Sequence, residues 1–245
     1  MTPEITVIAS VWRHQRDKDE LLRGHMRNLA RQTVPHRVIY VFDGGDPPPP
    51  WLGGMKVTVS GDLTIYQAWN VALSLVTTPL VANLNLDDRL APEGLAMLSA
   101  PFRDDPEVFL TGGDWRICYS AEETDAVRLA VPVAQVPFVQ EWPPAPPAST
   151  RLGSGDGTRG TFGPATMWRM EAHLGYPRYP YRFVDGTLIR VIGDFLWWNL
   201  LLGPMKKKSV RLPYVIGHYR SWPDSQAEFR HDAAAEHRQS RLSPL

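Results

Sequence analysis

Two adjacent carboxylates, Asp87 and Asp88, follow an apolar run, Leu80-Val-Ala82, with the amide Asn85 two positions before the first of them. Carboxylates side by side repel each other unless a cation or a set of hydrogen bonds offsets their charge. Hard cations such as Mg²⁺ and Mn²⁺ take oxygen ligands, and one or two carboxylates commonly hold them together with substrate phosphates. The pair therefore reads as a metal–diphosphate site. The competing reading is that Asp87 and Asp88 cap a helix that begins near Pro92, since Asp is a preferred capping residue.

The elements that must position this pair are legible from periodicity. Ile5–Val11 is a β-branched run suited to a strand buried on both faces. A helix is expected over Asp19–Gln32, with Leu21, Leu22, His25, Met26 and Leu29 at helical spacing. Arg37–Phe42 reads as the second strand, ending in Asp43-Gly-Gly-Asp46, and Pro47–Pro50 can continue neither element. Lys56–Val59 is a short third strand closing on Ser60-Gly-Asp62, and Leu63–Val76 a helix with Tyr66, Trp69, Ala72, Leu73 and Val76 facing inward. The fourth strand leads to Asp87-Asp88, then a helix over Glu93–Phe102 and a strand over Val108–Gly112 precede Asp114-Trp115. Strands alternating with helices imply right-handed βαβ units and a parallel sheet. Asp43, Asp62 and the Asp87/Asp88 pair then stand at the carboxyl ends of three successive strands, the edge where open α/β sheets bind ligands. Ser10-Val-Trp-Arg13, at the end of strand one, has no glycine fingerprint for cradling phosphates, which again points to a metal.

Composition narrows the class. The chain has 245 residues, 26 of them basic and 26 acidic, for a formal charge of zero. That length suffices for one large α/β domain, and the balance predicts no general attraction to nucleic acid. A single cysteine, Cys118, excludes an intramolecular disulfide framework and suits a reducing compartment. No apolar run approaches the ~20 residues of a membrane-spanning helix, and Ile5–Val11 is too short for a secretion signal. The expectation is a cytoplasmic protein, with peripheral membrane association left open.

Residues 1–130 form the ordered α/β half. Six prolines between Pro132 and Pro147, and the run Gly153–Gly157, make 131–160 an irregular segment expected to be a mobile flap or plain disorder. Residues 161–245 complete the same domain. Val191-Ile-Gly-Asp194 leads into an apolar helix, Phe195–Leu202. Lys206–Lys208 reads as a solvated charge run, and the tail from Ser225 as a surface helix.

In this order and spacing, strand one, Val41-Phe-Asp-Gly-Gly45, Ala68-Trp-Asn70, Asn85-Leu-Asp-Asp88 with Pro92, and Gly193-Asp194 resemble the family 2 glycosyltransferases over about residues 5–200. The resemblance implies a GT-A fold: a Rossmann-like, mainly parallel sheet flanked by helices, with a C-terminal acceptor-binding region. It implies an inverting transfer of sugar from a nucleotide-diphosphate donor, a UDP-sugar favoured, to an acceptor hydroxyl, with Mn²⁺ or Mg²⁺. Asp43 and Asp62 would contact the nucleotide, with Ser10 and Asn85 completing the donor set. Asp87 and Asp88 would hold the metal, and Asp194 would be the general base. His218 is a candidate third metal ligand, with a structural histidine as the alternative. The family's usual first acid is Asn85 here, Phe42 replaces another acid, and Gly193 stands where a Glu usually precedes the base.

Transfer needs a stabilised leaving diphosphate and a carboxylate to take the acceptor's proton. A single in-line displacement inverts the anomeric carbon. Trp115, Trp168, Trp197 and Trp198 suit either sugar stacking or the core. Two other classes remain. A catalytically silent sugar-nucleotide-binding protein is favoured by Asn85 and Gly193. A nucleotidyltransferase would carry a glycine-rich basic loop after strand one, and Arg13-His-Gln-Arg16 has no glycine. The acceptor, whether saccharide, lipid-linked, protein or nucleic acid, is not named by the sequence.

Overall fold

A computed structural model describes residues 4–136, 151–152, 164–175, 178–222 and 233–242. The expected flap therefore lies mostly outside the described residues. β1 (Ile5–Val11), β2 (His36–Phe42), β3 (Met55–Thr58) and β4 (Leu80–Asn83) form a parallel block in the order β3-β2-β1-β4. α1 (Lys18–Ala30) and α2 (Ile65–Leu73) are its crossovers. A reciprocal capping box, Thr64 with Gln67, starts α2 and satisfies two backbone donors that a helix end leaves orphaned.

Beyond β4 the sheet is mixed. β5 (Arg89–Leu90), α3 (Gly94–Asp104), β6 (Val108–Cys118) and α4 (Ala121–Asp125) follow, then the short strands β7 (Val131–Pro132), β8 (Arg151–Leu152) and β9 (Met167–Arg169). α5 (Ala172–Gly175), α6 (Gly193–Leu202), β10 (Lys208–Arg220) and a last helix, α7 (Ala233–Leu242), complete the chain. β9 lies antiparallel between β4 and β6, β10 runs parallel to β6, and β5 is antiparallel on the far side of β10. The fold is thus a mainly parallel α/β sheet flanked by helices.

Lys206–Lys208 is a largely solvated run, as expected: Lys206 and Lys208 are exposed, and Lys208 opens a 13-residue strand at the sheet's surface and pairs with Asp105 at 2.5 Å. Its strand escapes periodicity because Pro213 and register shifts around Val215 interrupt the alternation. Likewise β6 continues through Gly112-Gly113, which read as a terminus. A Cβ on Gly113 would stand 2.9 Å from the Ile216 side chain, so the glycine lets β10 pack closely.

Alternating residues of β1 divide the core. Ile8 joins Val41 and Val81 against α2 and α6, through Tyr66, Trp69, Trp197 and Leu201. Ile5 and Val7 face α3 and the end of α1, through Leu95, Leu98 and Leu29. Trp115, Trp168, Trp197 and Trp198 are all buried, which makes them core residues rather than an exposed sugar platform. Trp168, Tyr179 and Trp197 interlock at centroid separations of 4.8–5.7 Å beneath the start of α6. No helix among the described residues is long and apolar enough to cross a membrane.

Candidate active site

Asp43 leaves β2 into a turn that Gly44 and Gly45 complete with φ of +60° and +73°, values costly for residues with a Cβ. Its two carboxylate oxygens accept main-chain N–H groups from Arg13 at 2.6 Å and Leu63 at 3.3 Å. One buried carboxylate thus ties together the loops after β1, β2 and β3. Two amides fill only part of its acceptor capacity. Asp62 lies on the outer side of the same cluster, largely exposed, and pairs with Arg13 at 3.1 Å. Ser10 sits in β1 opposite Val41. Trp12, next along, is 52% exposed at the carboxyl end of the strand.

Asn85, Asp87 and Asp88 follow β4, and neither carboxylate caps a helix. α3 begins at Gly94 with Glu93 at its cap position. Asp88 is fully buried: Oδ1 accepts the Arg220 N–H at 3.2 Å, while Oδ2 has no partner among the described residues. The side-chain oxygen of Asn85 is also buried without a partner. Asp87 is half-buried and accepts the Trp222 indole N–H at 2.8 Å. The Arg220 guanidinium lies 3.9 Å over the Trp222 ring. Burial pushes the Asp88 carboxyl well above the ordinary carboxylate range, and the Asp87 charge adds to that rise. Asp87 rises too, from burial, against the Trp222 hydrogen bond.

Beneath the loop, the Arg89 guanidinium donates to the main-chain oxygens of Leu86 and Asp88 at 2.7 and 2.8 Å and to Asp125 at 2.6 Å. It lies so close against Gly24 of α1 that a Cβ there would stand 2.1 Å from it. Arg89 thus fixes the backbone that carries the two acids.

These residues fit a hard divalent cation, since two buried oxygens lack partners among the described residues and two adjacent carboxylates carry like charge in a poorly solvated place. No cluster of three or more His, Cys, Asp or Glu side chains suited to a metal occurs among the described residues. His218, expected as a third ligand, is not brought to the pair. Its Nδ1 is 2.8 Å from the Glu123 carbonyl oxygen, and the ring lines a separate cavity of about 430 Å³ with Arg116, Tyr119 and Glu123. The protein's share of a cation shell would then be Asp87 and Asp88, with donor oxygens and water left to complete it.

Asp194 is the second residue of α6, inside its first turn rather than at the cap. Its Oδ1 accepts from the Phe195 N–H at 2.8 Å and from the Tyr66 hydroxyl at 3.3 Å. Gly193 explains the missing side chain before it. A Cβ there would stand 2.7 Å from both the Pro180 carbonyl oxygen and the Tyr66 ring. A larger residue would push α6 away from Tyr66. Burial, with the Asp194 charge adding to it, pushes the Tyr66 phenol well above its ordinary value, so Tyr66 stays a neutral donor. Asp185 holds its own turn, accepting the Thr187 N–H at 2.9 Å and the Gln239 amide at 2.6 Å.

Sequence reasoning missed the contacts of Arg89, Arg220, Trp222 and Tyr66 around these acids. Tyr66 was expected only as a core residue. A basic and aromatic pair in Arg220-Ser-Trp222 was the one local signal available, and it fell in a stretch assigned to no element.

Solved structures share this architecture. The mannosyltransferase PcManGT from Pyrobaculum calidifontis, in complex with GDP-Man and Mn²⁺, is 16% identical, with a TM-score of 0.52 over 89% of this chain and 57% of its own. S. aureus TarS is 16% identical, with a TM-score of 0.57 over 99% of this chain and 40% of that one. TarS 1-349 in complex with UDP is 15% identical, with a TM-score of 0.55 over 90% and 61%. The chain spans between 40% and 61% of the length of these structures. No protein-family model matches it, and no curated protein does so significantly. At this identity the likeness is one of fold: the chain shares the mixed α/β sheet of PcManGT and TarS.

Proposed function

We propose that the protein is a metal-dependent, inverting glycosyltransferase that moves a sugar from a nucleotide-diphosphate donor to an acceptor hydroxyl. The observation that carries this reading is the Asp87-Asp88 pair at the end of β4, with a buried Asp88 oxygen that has no hydrogen-bond partner among the described residues, in a GT-A fold. A neighbour of that fold binds GDP-Man with Mn²⁺ and another binds UDP, which supports the donor class.

Each group has a role in this reading. Asp43 braces the three loops around the nucleotide and offers its remaining lone pairs to the base, with Asp62, Ser10 and the exposed Trp12 ring beside it. Asn85 offers an oxygen to a ribose hydroxyl. Asp87 and Asp88 hold Mn²⁺ or Mg²⁺. When bound, that cation supplies Lewis-acid stabilisation of the leaving diphosphate. Arg220, stacked on Trp222, adds positive charge beside the same carboxylates. Asp194 takes the proton from the acceptor hydroxyl as it attacks the anomeric carbon, and attack opposite the leaving group inverts that centre.

The test is release of UDP or GDP from a panel of sugar nucleotides with Mn²⁺, alone and with chelator. Metal-dependent release at a rate above that of the Asp87→Ala variant supports the enzyme. Tight binding with no release from any donor leaves a silent sugar-nucleotide-binding protein.

A further inference from the structure

α6 starts without a cap of its own. The residue before it, Ile192, has no side-chain acceptor, yet the first turn of a helix exposes N–H groups that need one. The amides just before that turn are held by a residue 44–46 positions further on. Glu236, in the first turn of α7, accepts the N–H groups of Arg190, Val191 and Ile192 at 3.0, 3.1 and 3.2 Å. Three consecutive amides aimed at one carboxylate form an anion-binding nest, and the positive end of the α6 dipole adds to it. Three residues on, Gln239 donates to Asp185 at 2.6 Å, so one face of α7 grips the segment leading into α6 at two points.

We propose that Glu236 is a positioning residue for Asp194. The inference rests on the reading of Asp194 as the base. On the inner side, Gly193 fits against Tyr66 with no room to spare, so α6 cannot move inward. On the outer side Glu236 holds residues 190–192, so α6 cannot turn outward. Asp194 lies two residues beyond that nest, and its distance from Tyr66 is set by these opposed constraints. A small displacement of a reacting group is costly in rate, by about 10²-fold for an ångström. Glu236 touches no reacting atom and acts only through the backbone it holds.

The test uses the full chain with Glu236→Ala and the milder Glu236→Gln, which keeps one amide-accepting oxygen. Amide hydrogen exchange is followed over 188–196, with UDP affinity in Mn²⁺ and UDP release from UDP-glucose measured on the same samples. The expectation for Glu236→Ala is exchange over 188–196 faster by about tenfold, with β1 and β2 as protected as before. UDP affinity should stay within about twofold while release falls by about 10²-fold, and Glu236→Gln should fall between. Unchanged exchange over 188–196 overturns the proposal. So does protection lost equally throughout the sheet, or faster exchange with undiminished release. Asp194→Asn is measured alongside: full release in that variant overturns the base assignment, whatever the exchange shows at Glu236.

Discussion

The Tyr66 hydroxyl stands 2.7 Å from the Val191 carbonyl oxygen and 3.3 Å from the Asp194 carboxylate. A phenol has one hydrogen to give, and the shorter contact takes most of it. Tyr66 therefore anchors the start of α6 chiefly through the backbone, and only secondarily through Asp194. Asp194→Asn keeps the shape of the residue and removes its ability to take a proton. Turnover should fall by the ~10²–10⁴-fold of a lost general base, with donor affinity nearly unchanged. Parallel loss of stability and donor binding would instead assign Asp194 a structural role.

The metal prediction joins stability to function. Asp88 is buried beside Asp87, and both burial and that charge oppose its ionisation. A carboxyl held above its ordinary range in the fold destabilises the folded state at neutral pH, because the unfolded chain ionises it freely; stability from this source falls as pH rises above the ordinary Asp value. Asp88→Asn should accordingly raise the metal-free melting temperature, by roughly 2–4 °C for each kcal/mol relieved. The same variant, and Asp87→Ala, should lose the Mn²⁺-dependent part of UDP affinity. Thermal melts with and without Mn²⁺, beside calorimetry with UDP, read both effects. A variant that melts lower and binds UDP–Mn²⁺ normally would reject the assignment.

Asp43 is expected to matter twice. Its removal takes away the acceptor for the Arg13 and Leu63 amides and any hydrogen bond to the nucleobase. Asp43→Ala should weaken UDP binding by about 1–3 kcal/mol, the range for a lost charged hydrogen bond, with a stability loss of similar size. Asp43→Asn keeps an oxygen for one amide and should recover part of the stability. Wild-type UDP affinity in Asp43→Ala would leave it as a turn residue alone.

His25 supplies the acid-sensitive element. Burial, with the Arg89 charge secondary, lowers its pKa from 6.5 to about 3, and its Nδ1 lies 3.0 Å from the Tyr40 hydroxyl. Below pH 6.5 the unfolded chain takes up a proton there that the folded protein refuses until about pH 3. Stability from this site is therefore complete above pH 6.5 and falls as pH drops, by at most ~1.4 kcal/mol per pH unit. Urea unfolding of wild type and His25→Leu at several values between pH 7.5 and 4.5 isolates the term, since other titrations cancel in the difference. Equal pH slopes in the two proteins would show that His25 titrates freely.

Much of the amino-terminal half was determined by the sequence alone. β1, α1, β2, β3, α2, β4 and α3 fall within a few residues of where periodicity and turn chemistry set them. Asp43, Asp62 and Asp87-Asp88 stand at the carboxyl ends of strands because that placement depends only on local order along the chain. The apolar helix following Asp194 was equally local. What tertiary structure alone decided lies across long separations. Arg220 and Trp222 meet Asp88 and Asp87 over 132 and 135 residues, and Glu236 reaches the start of α6 over 44–46. His218 and Arg220 lie two apart on β10, yet one faces the Glu123 carbonyl and the other the acids. His218 meets that carbonyl through its ring, whereas Arg220 meets Asp88 through its main-chain N–H at the end of the strand, and the register of β10 against β6 and β5 sets where both fall. A side-chain period of two carries no signal through a bulged, proline-bearing strand, so only the assembled sheet could choose which of them joins the site.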